Sequence, residues 1–247
     1  MRIGNYQFRP RLIPTIMVLI LLPILLRLGF WQISRANEKR AIIAEEHAKM
    51  ALPPRLIDRP LADAQGLRFH RLQIDGKFFD KYQIFIDNKI HQDRVGYDVV
   101  TPMQIGSSNQ YVLVNRGWVP MGRTRADLPV IKTPKTDISI VGIAKYHTKD
   151  VVSFGDGNRS NKGWPAVVRW VDIKAIAKET KLDLVPFMLL LDPKSPYGYV
   201  RHWKFINMPP AKHMSYAVQW FAMAAALVII YLVVNLKHMS KTEKDDD

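Results

Sequence analysis

The sequence contains no cysteine, and this absence removes several classes of function at once. Without thiols the chain cannot carry a disulfide framework, a cysteine-ligated zinc or iron–sulfur site, a CxxC redox motif or a cysteine nucleophile. Copper delivery is disfavoured as well, because the ten methionines form no clustered motif that could replace thiolates. The redox compartment stays open, since a chain without thiols is tolerated in reducing and oxidising surroundings alike.

Familiar catalytic and nucleotide-binding motifs are also missing. We find no Walker loop, GxGxxG, GxSxG or HExxH, so phosphate cradling, dinucleotide binding and the commoner hydrolase elbows have no support. The seven histidines include no close pair with a carboxylate between its members, which disfavours a multi-histidine metal site. The sequence therefore predicts a protein that is not an enzyme.

Acidic residues are few relative to basic ones. Against 36 Lys and Arg there are 22 Asp and Glu, which gives a formal net charge of +14 and a sequence pI near 9.9. Such a surplus favours anionic partners. Because no zinc finger, basic helix or aromatic-interleaved RNA-binding pattern is present, we expect no nucleic-acid partner and take the lipid bilayer as the expected anionic surface.

Two long, nearly uncharged stretches predict two membrane spans, residues 12–33 and residues 213–236. About 20 helical residues cross a hydrocarbon core of about 30 Å, and the first stretch is long enough if Arg27 snorkels to the headgroups. Aromatic residues mark the membrane interface, with Trp31 closing the first span and Trp220 near the start of the second. A cleaved signal peptide is the alternative interpretation of the first stretch.

The charges of the N-terminal tail predict the orientation of the spans. Residues 1–11 hold three arginines and no acidic residue, and basic tails stay on the cytoplasmic side. We therefore expect residues 1–11 and 237–247 to be cytoplasmic tails. Since 11 residues leave no room for an ordinary organelle transit peptide, the expected location is a bacterial inner membrane, with residues 34–212 forming a periplasmic domain.

Between the spans the hydrophobic pattern changes from a helical period to a strand period. Residues 35–50 are expected to prolong the first helix until Pro53-Pro54 stops it. Asp172 can cap a short helix, and Gly106–Asn109 signals a hairpin. Seven stretches rich in β-branched or aromatic residues predict strands: Phe69–Phe79, Tyr82–Ile86, Tyr97–Ile105, Tyr111–Val119, Ile138–Tyr146, Ala166–Val171 and Phe187–Leu191.

The predicted fold class is accordingly an α+β membrane protein. Two transmembrane helices flank a predominantly antiparallel β domain that faces outward and carries one short helix.

His213 begins the second span and is followed on the same helix by Tyr216, Gln219 and Trp220, whose spacings of 3, 6 and 7 predict that they share roughly one face with it. One interpretation is an interfacial polar residue whose imidazole is hydrated among the headgroups. The other is an axial ligand for a haem at the membrane surface, because imidazole binds iron and porphyrin is an apolar ring with two carboxylates. In that case Arg201, Lys204 and Lys212 would meet the propionates, and Trp203, Phe205 and Trp220 the ring.

Asn115-Arg116-Gly117-Trp118 closes an apolar strand, which is an unusual place for an arginine. In a structural interpretation the guanidinium satisfies loop carbonyls, Gly117 allows a β-bulge and Trp118 fills the core. Contact with a partner is the alternative.

Four stretches, taken in chain order, resemble one known family. They are Leu28–Gln32 with Arg35 and Lys39, Gly96-Tyr97 leading to Thr101-Pro102, Val112–Pro120, and His213 with Tyr216-Ala217 and Gln219–Phe221. In these stretches the chain resembles the Surfeit locus protein 1 family of cytochrome c oxidase assembly factors. The resemblance assigns no role to Trp31, Gln32 or the motif Asn115–Trp118.

The resemblance implies a protein that assists maturation of the catalytic subunit of a haem–copper terminal oxidase by holding haem a for insertion. It implies that His213 is the haem-iron ligand, with Tyr216, Gln219 and Trp220 as the residues beside it. Haem a, bound transiently, is the expected cofactor, and the expected partners are the oxidase catalytic subunit, haem A synthase and the bilayer. The alternative is a membrane scaffold that stabilises an oxidase assembly intermediate without binding haem.

Overall fold

A computed structural model describes residues 2–3, 6–61, 64–125, 127–146, 158–161, 163–206 and 208–238. The chain divides into two compact units. The first unit comprises Met1–Ala44 and Phe205–Asp247, and the second comprises Glu45–Lys204. Most of the predicted C-terminal tail, residues 239–247, lies outside the described residues.

Three α-helices and eleven strands form within the described ranges, together with a 3₁₀ turn at Asp80–Tyr82. The helices are α1 (Leu12–Met50), α2 (Ile173–Thr180) and α3 (Pro210–Asn235). The strands are β1 (Arg2–Ile3), β2 (Tyr6–Phe8), β3 (Arg55–Ile57), β4 (Arg71–Gly76), β5 (Ile84–His91), β6 (Arg94–Gln104), β7 (Gln110–Pro120), β8 (Ile138–Lys145), β9 (Ala166–Val168), β10 (Asp183–Leu191) and β11 (Leu236–His238).

Helices α1 and α3 form the body of the first unit. Of the described helices, these two are long and apolar enough to cross a membrane, and many of their large apolar side chains are exposed. Helix α1 continues beyond the predicted span to Met50, as the sequence predicts, and ends before Pro53. Helix α3 begins at Pro210, three residues before the predicted start, because proline fits the first helical position well.

The two ends of the chain meet beside the helix pair. Strand β2 pairs with β1 and with β11, antiparallel in both cases. Asn235, the last residue of α3, is buried, and its side-chain oxygen accepts from the Arg11 backbone N–H at 2.7 Å. Thr15 and Tyr231 also join α1 to α3 through a hydroxyl–hydroxyl contact of 3.0 Å. These bonds hold the N-terminal and C-terminal tails at one end of the first unit.

The second unit is built on a mixed sheet of eight described strands in the order β3-β4-β8-β10-β7-β6-β5-β9. Four neighbouring pairs within it are antiparallel, and three, β3/β4, β7/β10 and β5/β9, are parallel. Every one of the seven predicted strands is present, and the β6–β7 hairpin turns at Gly106, which has a positive φ of 53°. The α+β fold class is therefore confirmed.

The core of the second unit follows strand alternation. Its larger cluster takes alternate residues from neighbouring strands: Leu72 and Ile74, Ile140 and Ala144, Leu189 and Leu191, and Val112 and Val114. A smaller cluster contains Phe85, Tyr97, Val99, Val119 and Val167.

Helix α2 begins at the predicted cap. The Asp172 carboxylate accepts from the Ala175 backbone N–H at 3.0 Å, and Lys181 ends the helix in a left-handed conformation. Ile176 is buried.

Candidate functional site

Small residues lie at buried positions on both α1 and α3. Gly29 and Ala36 on α1 and Ala217 and Ala224 on α3 are all buried. A Cβ atom at Gly29 would lie 2.6 Å from the ring of Phe221, so only glycine leaves room for that ring. The ring of Phe221 on α3 therefore packs in the space that Gly29 leaves on α1.

His213 of α3 contacts Gln32 of α1 through its side chain. The His213 Nδ1 atom lies 2.8 Å from the Gln32 Oε1 atom, and the His213 side chain is 8% exposed. The two residues are 181 positions apart in sequence. Two of the resembling stretches, the one ending at Gln32 and the one beginning at His213, therefore meet in the fold.

The contact with Gln32 orients the imidazole and accounts for a proton on Nδ1. Because an amide oxygen only accepts, the His213 Nδ1–H donates to it, which leaves the lone pair of a neutral ring on Nε2. Within the described part of the chain, this buried Nε2 has no hydrogen-bond partner. A metal-ligating histidine is typically held in this way, with one nitrogen bonded to an acceptor and the other free for the metal.

His213 thus meets the chemical requirement for an axial ligand of haem iron, and the apolar helix pair suits a porphyrin ring. The Nε2 atom exposes less than 1 Å². Neighbouring side chains must therefore move before an iron atom can reach it.

The other residues predicted beside the haem lie on different sides of α3. Trp220 is half-buried and lies seven positions after His213, on the stripe that faces α1. Tyr216 is 43% exposed, and Gln219 is exposed. Since each helical residue turns by about 100°, Gln219 lies about 120° around the helix from His213. The fold therefore groups Trp220, but not Gln219, with the histidine.

Trp31, the neighbour of Gln32, points away from the helix contact. Its side chain is 48% exposed, and the Arg35 guanidinium lies 5.6 Å from its ring centroid. Phe30 instead reaches Phe221 on α3, with ring centroids 5.3 Å apart in an edge-to-face arrangement.

The residues predicted to meet the propionates and the ring are divided between the units. Lys212 and Phe205 belong to the first unit, where Lys212 is exposed and Phe205 half-buried. Arg201, Trp203 and Lys204 belong to the second. Each Arg201 side-chain nitrogen already donates to a backbone carbonyl, and Trp203 donates to the Leu191 carbonyl at 2.9 Å.

The motif Asn115–Trp118 forms a β-bulge in the second unit. In the β6–β7 register Val99 faces Gly117 and Val100 faces Asn115, so Arg116 has no partner on β6. Gly117 has a positive φ of 107°, which favours glycine. The Asn115 side-chain oxygen accepts from the Gly117 backbone N–H at 3.0 Å, closing the bulge.

The bulge turns the Arg116 side chain into the interior, where it is 2% exposed. Its guanidinium donates to the Tyr197 carbonyl at 2.9 Å, the Lys132 carbonyl at 2.7 Å and the Thr133 hydroxyl at 2.9 Å. It also lies over the ring of Phe78, 4.8 Å from the centroid. These contacts match the structural interpretation of the motif, and Trp118 is also buried.

Asp98 and Lys145 are among the ionisable groups of this sheet whose pKa is shifted by burial. Burial raises the pKa of Asp98, although the charges of Lys89 and Lys145 and a hydrogen bond from Asn115 oppose this rise. Burial lowers the pKa of Lys145, and the charge of Lys89 lowers it further. Both groups are therefore less stable in their charged forms than in water.

No three histidine, aspartate or glutamate side chains of the described residues lie close enough together to hold a metal ion. His91 and His202 stack with centroids 5.3 Å apart but lack a third such neighbour in this part of the chain.

The fold and the site define a class: an α+β protein with two helices of membrane-spanning length and a histidine–glutamine pair between them. The sequence model of the SURF1 family matches residues 19–225. The chain therefore belongs to the SURF1 family.

Curated relatives are similar in sequence to this chain over most of their length. A "SURF1-like protein" of Rickettsia conorii is 26% identical over 234 residues, which cover 91% of this chain and 92% of the relative. One of Rickettsia bellii is 27% identical over 226 residues, covering 87% and 88%. "Surfeit locus protein 1" of Rattus norvegicus is 22% identical over 213 residues, covering 81% of this chain and 68% of the rat protein.

Proposed function

We propose that this protein is a membrane-bound assembly factor for a haem–copper oxidase and that it binds haem a transiently through His213. The observation that carries this proposal is the buried, unpartnered Nε2 of His213, whose lone pair is fixed by the Nδ1 bond to Gln32. Membership of the SURF1 family supports the assembly role. The protein is a binding and hand-over protein and not an enzyme.

The proposed setting is a bacterial inner membrane crossed by α1 and α3. The N-terminal and C-terminal tails, which meet in one small sheet, are cytoplasmic, and the domain between the helices is periplasmic. The proposed partners are the oxidase catalytic subunit, haem A synthase and the surrounding lipid.

In this function the chain's own residues supply one ligand and its orientation. Haem a, when bound, supplies an iron atom that accepts an imidazole nitrogen. His213 Nε2 is the donor, and Gln32 keeps the proton on Nδ1, so that the ring cannot turn its N–H toward the iron. Gly29 leaves room for the Phe221 ring, a second side-chain contact between the same two helices.

Exposed Lys212 precedes His213 on α3 and is the first-unit cation available for a propionate. Arg201 is less suited, because loop carbonyls already occupy its donors. His213 would be a single iron ligand whose Nε2 must first be uncovered, which would give moderate affinity. Moderate affinity is what a carrier needs in order to release its cargo to a subunit with its own histidines.

The test is the visible spectrum of the full-length protein purified in detergent from cells that make haem A. We expect a Soret band in the wild type that is lost or shifted in His213→Ala. We expect Gln32→Leu to lower haem occupancy about 10-fold to 100-fold, because the acceptor that orients the histidine is gone, and Gln32→Glu to retain it. His202→Ala, which changes an exposed histidine of the second unit, is the matched control.

The other outcomes are equally informative. Colourless wild-type protein from cells with confirmed haem A would contradict haem binding and favour the scaffold that stabilises an assembly intermediate. Equal colour in the wild type and His213→Ala would keep haem but assign its ligand to another residue.

A further inference from the structure

A pocket of about 330 Å³ lies in the second unit beside the β7 bulge. Residues 132–134 form one side of it, residues 196–199 form the other, and Arg116 lines it from within. Small-molecule sites in proteins begin at about this volume. Neither the helix pair nor His213 contributes to the lining of this pocket.

Arg116 brings an uncompensated positive charge to the pocket. Its three hydrogen-bond acceptors, two carbonyls and the Thr133 hydroxyl, are neutral. Among the described residues no carboxylate lies within 4.0 Å of the guanidinium, and Asp80, which acts on it electrostatically, is paired with Lys135 at 2.5 Å. Burying a charge without a counter-charge is costly, and a bound anion would relieve that cost.

The same guanidinium has donors to spare. Arginine carries five N–H groups, and the described hydrogen bonds occupy one on each of its three nitrogens. Two N–H groups remain, and the Thr133 hydroxyl, which accepts from Arg116, still has its own proton to donate. Burial lowers the pKa of Arg116; Tyr199 and Asp80 oppose this change, and the charge of Arg201 adds to it.

The other residues that line the pocket indicate the chemistry of a ligand that would fit it. Lys132 is exposed and adds a second cation, and none of the lining residues is acidic. Tyr197, Tyr199, Pro134 and Pro196 also line the pocket, and the Arg116 guanidinium lies over the Tyr199 ring, 5.3 Å from the centroid. An arginine fork fits a planar carboxylate, and aromatic and proline surfaces fit a flat ring.

We propose that this pocket binds the carboxylate of a small aromatic organic anion, with Arg116 as the buried anchor and Lys132 as the cation at its edge. The proposal does not depend on haem binding. It gives the Arg116 motif a ligand in addition to its structural contacts.

The test uses full-length protein in detergent, prepared from cells without haem A, with benzoate as the probe. Saturation-transfer NMR and thermal unfolding report binding, and acetate and phosphate are compared at equal ionic strength. We expect benzoate to bind more tightly than acetate, because only benzoate can use the aromatic walls. Phosphate should bind more weakly than benzoate.

Lys132→Ala is the variant of choice. Arg116 and the Tyr199 hydroxyl both donate to the backbone carbonyl of Lys132, and this carbonyl is retained in the variant. We expect the variant to weaken benzoate binding about fivefold and to leave unfolding without ligand unchanged. Lys194→Ala, at an exposed lysine two residues before Pro196 and outside the lining, should bind benzoate like the wild type. Absence of benzoate binding, equal protection by all three anions, or equal loss in both lysine variants would overturn the proposal.

Discussion

The helix pair buries His213 and the sheet domain buries Arg116. The two side chains differ in which of their hydrogen bonds and charges are matched by neighbouring groups. His213 has one hydrogen bond, to Gln32, and a buried Nε2 without a partner among the described residues. Arg116 has a hydrogen bond at each of its nitrogens, and what it lacks in the described structure is a counter-charge.

Each deficit indicates what would satisfy it. A free imidazole lone pair is satisfied by a proton donor or a metal, and a buried guanidinium with neutral partners is satisfied by an anion. Burial of a polar group therefore has two separate requirements, hydrogen bonds and charge balance. In the helix pair, His213 lacks a hydrogen-bond partner for Nε2 among the described residues. In the sheet domain, Arg116 lacks a counter-charge among the described residues.

Substituting the two buried side chains should lower the free energy of unfolding by unequal amounts, and the larger loss is expected at Arg116. Arg116→Met should destabilise the protein by about 3 kcal/mol, because two carbonyls and a hydroxyl lose their donor. Thermal unfolding of the full-length protein in detergent measures this cost. Arg59→Met, at a side chain that is 85% exposed, is the matched control and should change stability by no more than about 0.5 kcal/mol. A similar loss of stability in the two variants would contradict a structural role for the Asn115–Trp118 motif.

A smaller effect is expected at His213 in protein without haem. His213→Leu should cost only about 1 kcal/mol, since a single hydrogen bond is lost and Nε2 has none to lose. The double variant with Gln32→Leu should cost less than the sum of the single variants, because both polar partners then disappear together. Unfolding of the three variants gives the coupling. Strict additivity would show that the bond between the two side chains is not formed in solution.

The smallest effect concerns Asp98, a half-buried acid that faces Trp118 in the β6–β7 register. Its folded pKa is raised above its ordinary value of 3.8, so its contribution to stability is fully present below that value and is lost as pH rises through the folded pKa. Asp98→Asn should therefore be more stable than the wild type at pH 7, by no more than about 1 kcal/mol, and should lose this advantage toward pH 4.

Unfolding at both pH values tests the sign. Asp58→Asn, at an exposed carboxylate of the same unit, is the matched control. A lower stability of Asp98→Asn at pH 7 would mean that attraction to Lys89 and Lys145 outweighs the cost of burial, which would reverse the sign.

Much of the fold could be predicted, because its signals are local. Uncharged stretches predicted α1 and α3, alternation predicted the strands, and Asp172 predicted the start of α2. Strand β3 was missed because three residues carry no readable period. The early start of β10 was missed because it contains Pro186, which lacks a backbone N–H; the sheet accommodates it with a register shift between Leu184 and Met188.

The candidate site was predictable only in part. Spacing placed His213 at the start of the second helix, but it also grouped Gln219 with His213, whereas the structure leaves Gln219 exposed on another side of α3. Gln32 belonged to a resembling stretch without a role. Nothing in the sequence indicated that it meets a histidine 181 residues away.

By itself the sequence determined the two helices of membrane-spanning length, the strands between them and the family, because apolar runs, alternation and motifs are written locally along the chain. Only the tertiary structure decided which nitrogen of His213 carries the proton, that its Nε2 stays unpartnered, and that Arg116 is buried beside a pocket without a counter-charge. These properties depend on atoms far apart in sequence, brought within hydrogen-bond distance by helix packing and by one bulge. Hydrogen bonding and charge balance act over a few ångströms, so they are set by neighbours in space and not by neighbours along the chain.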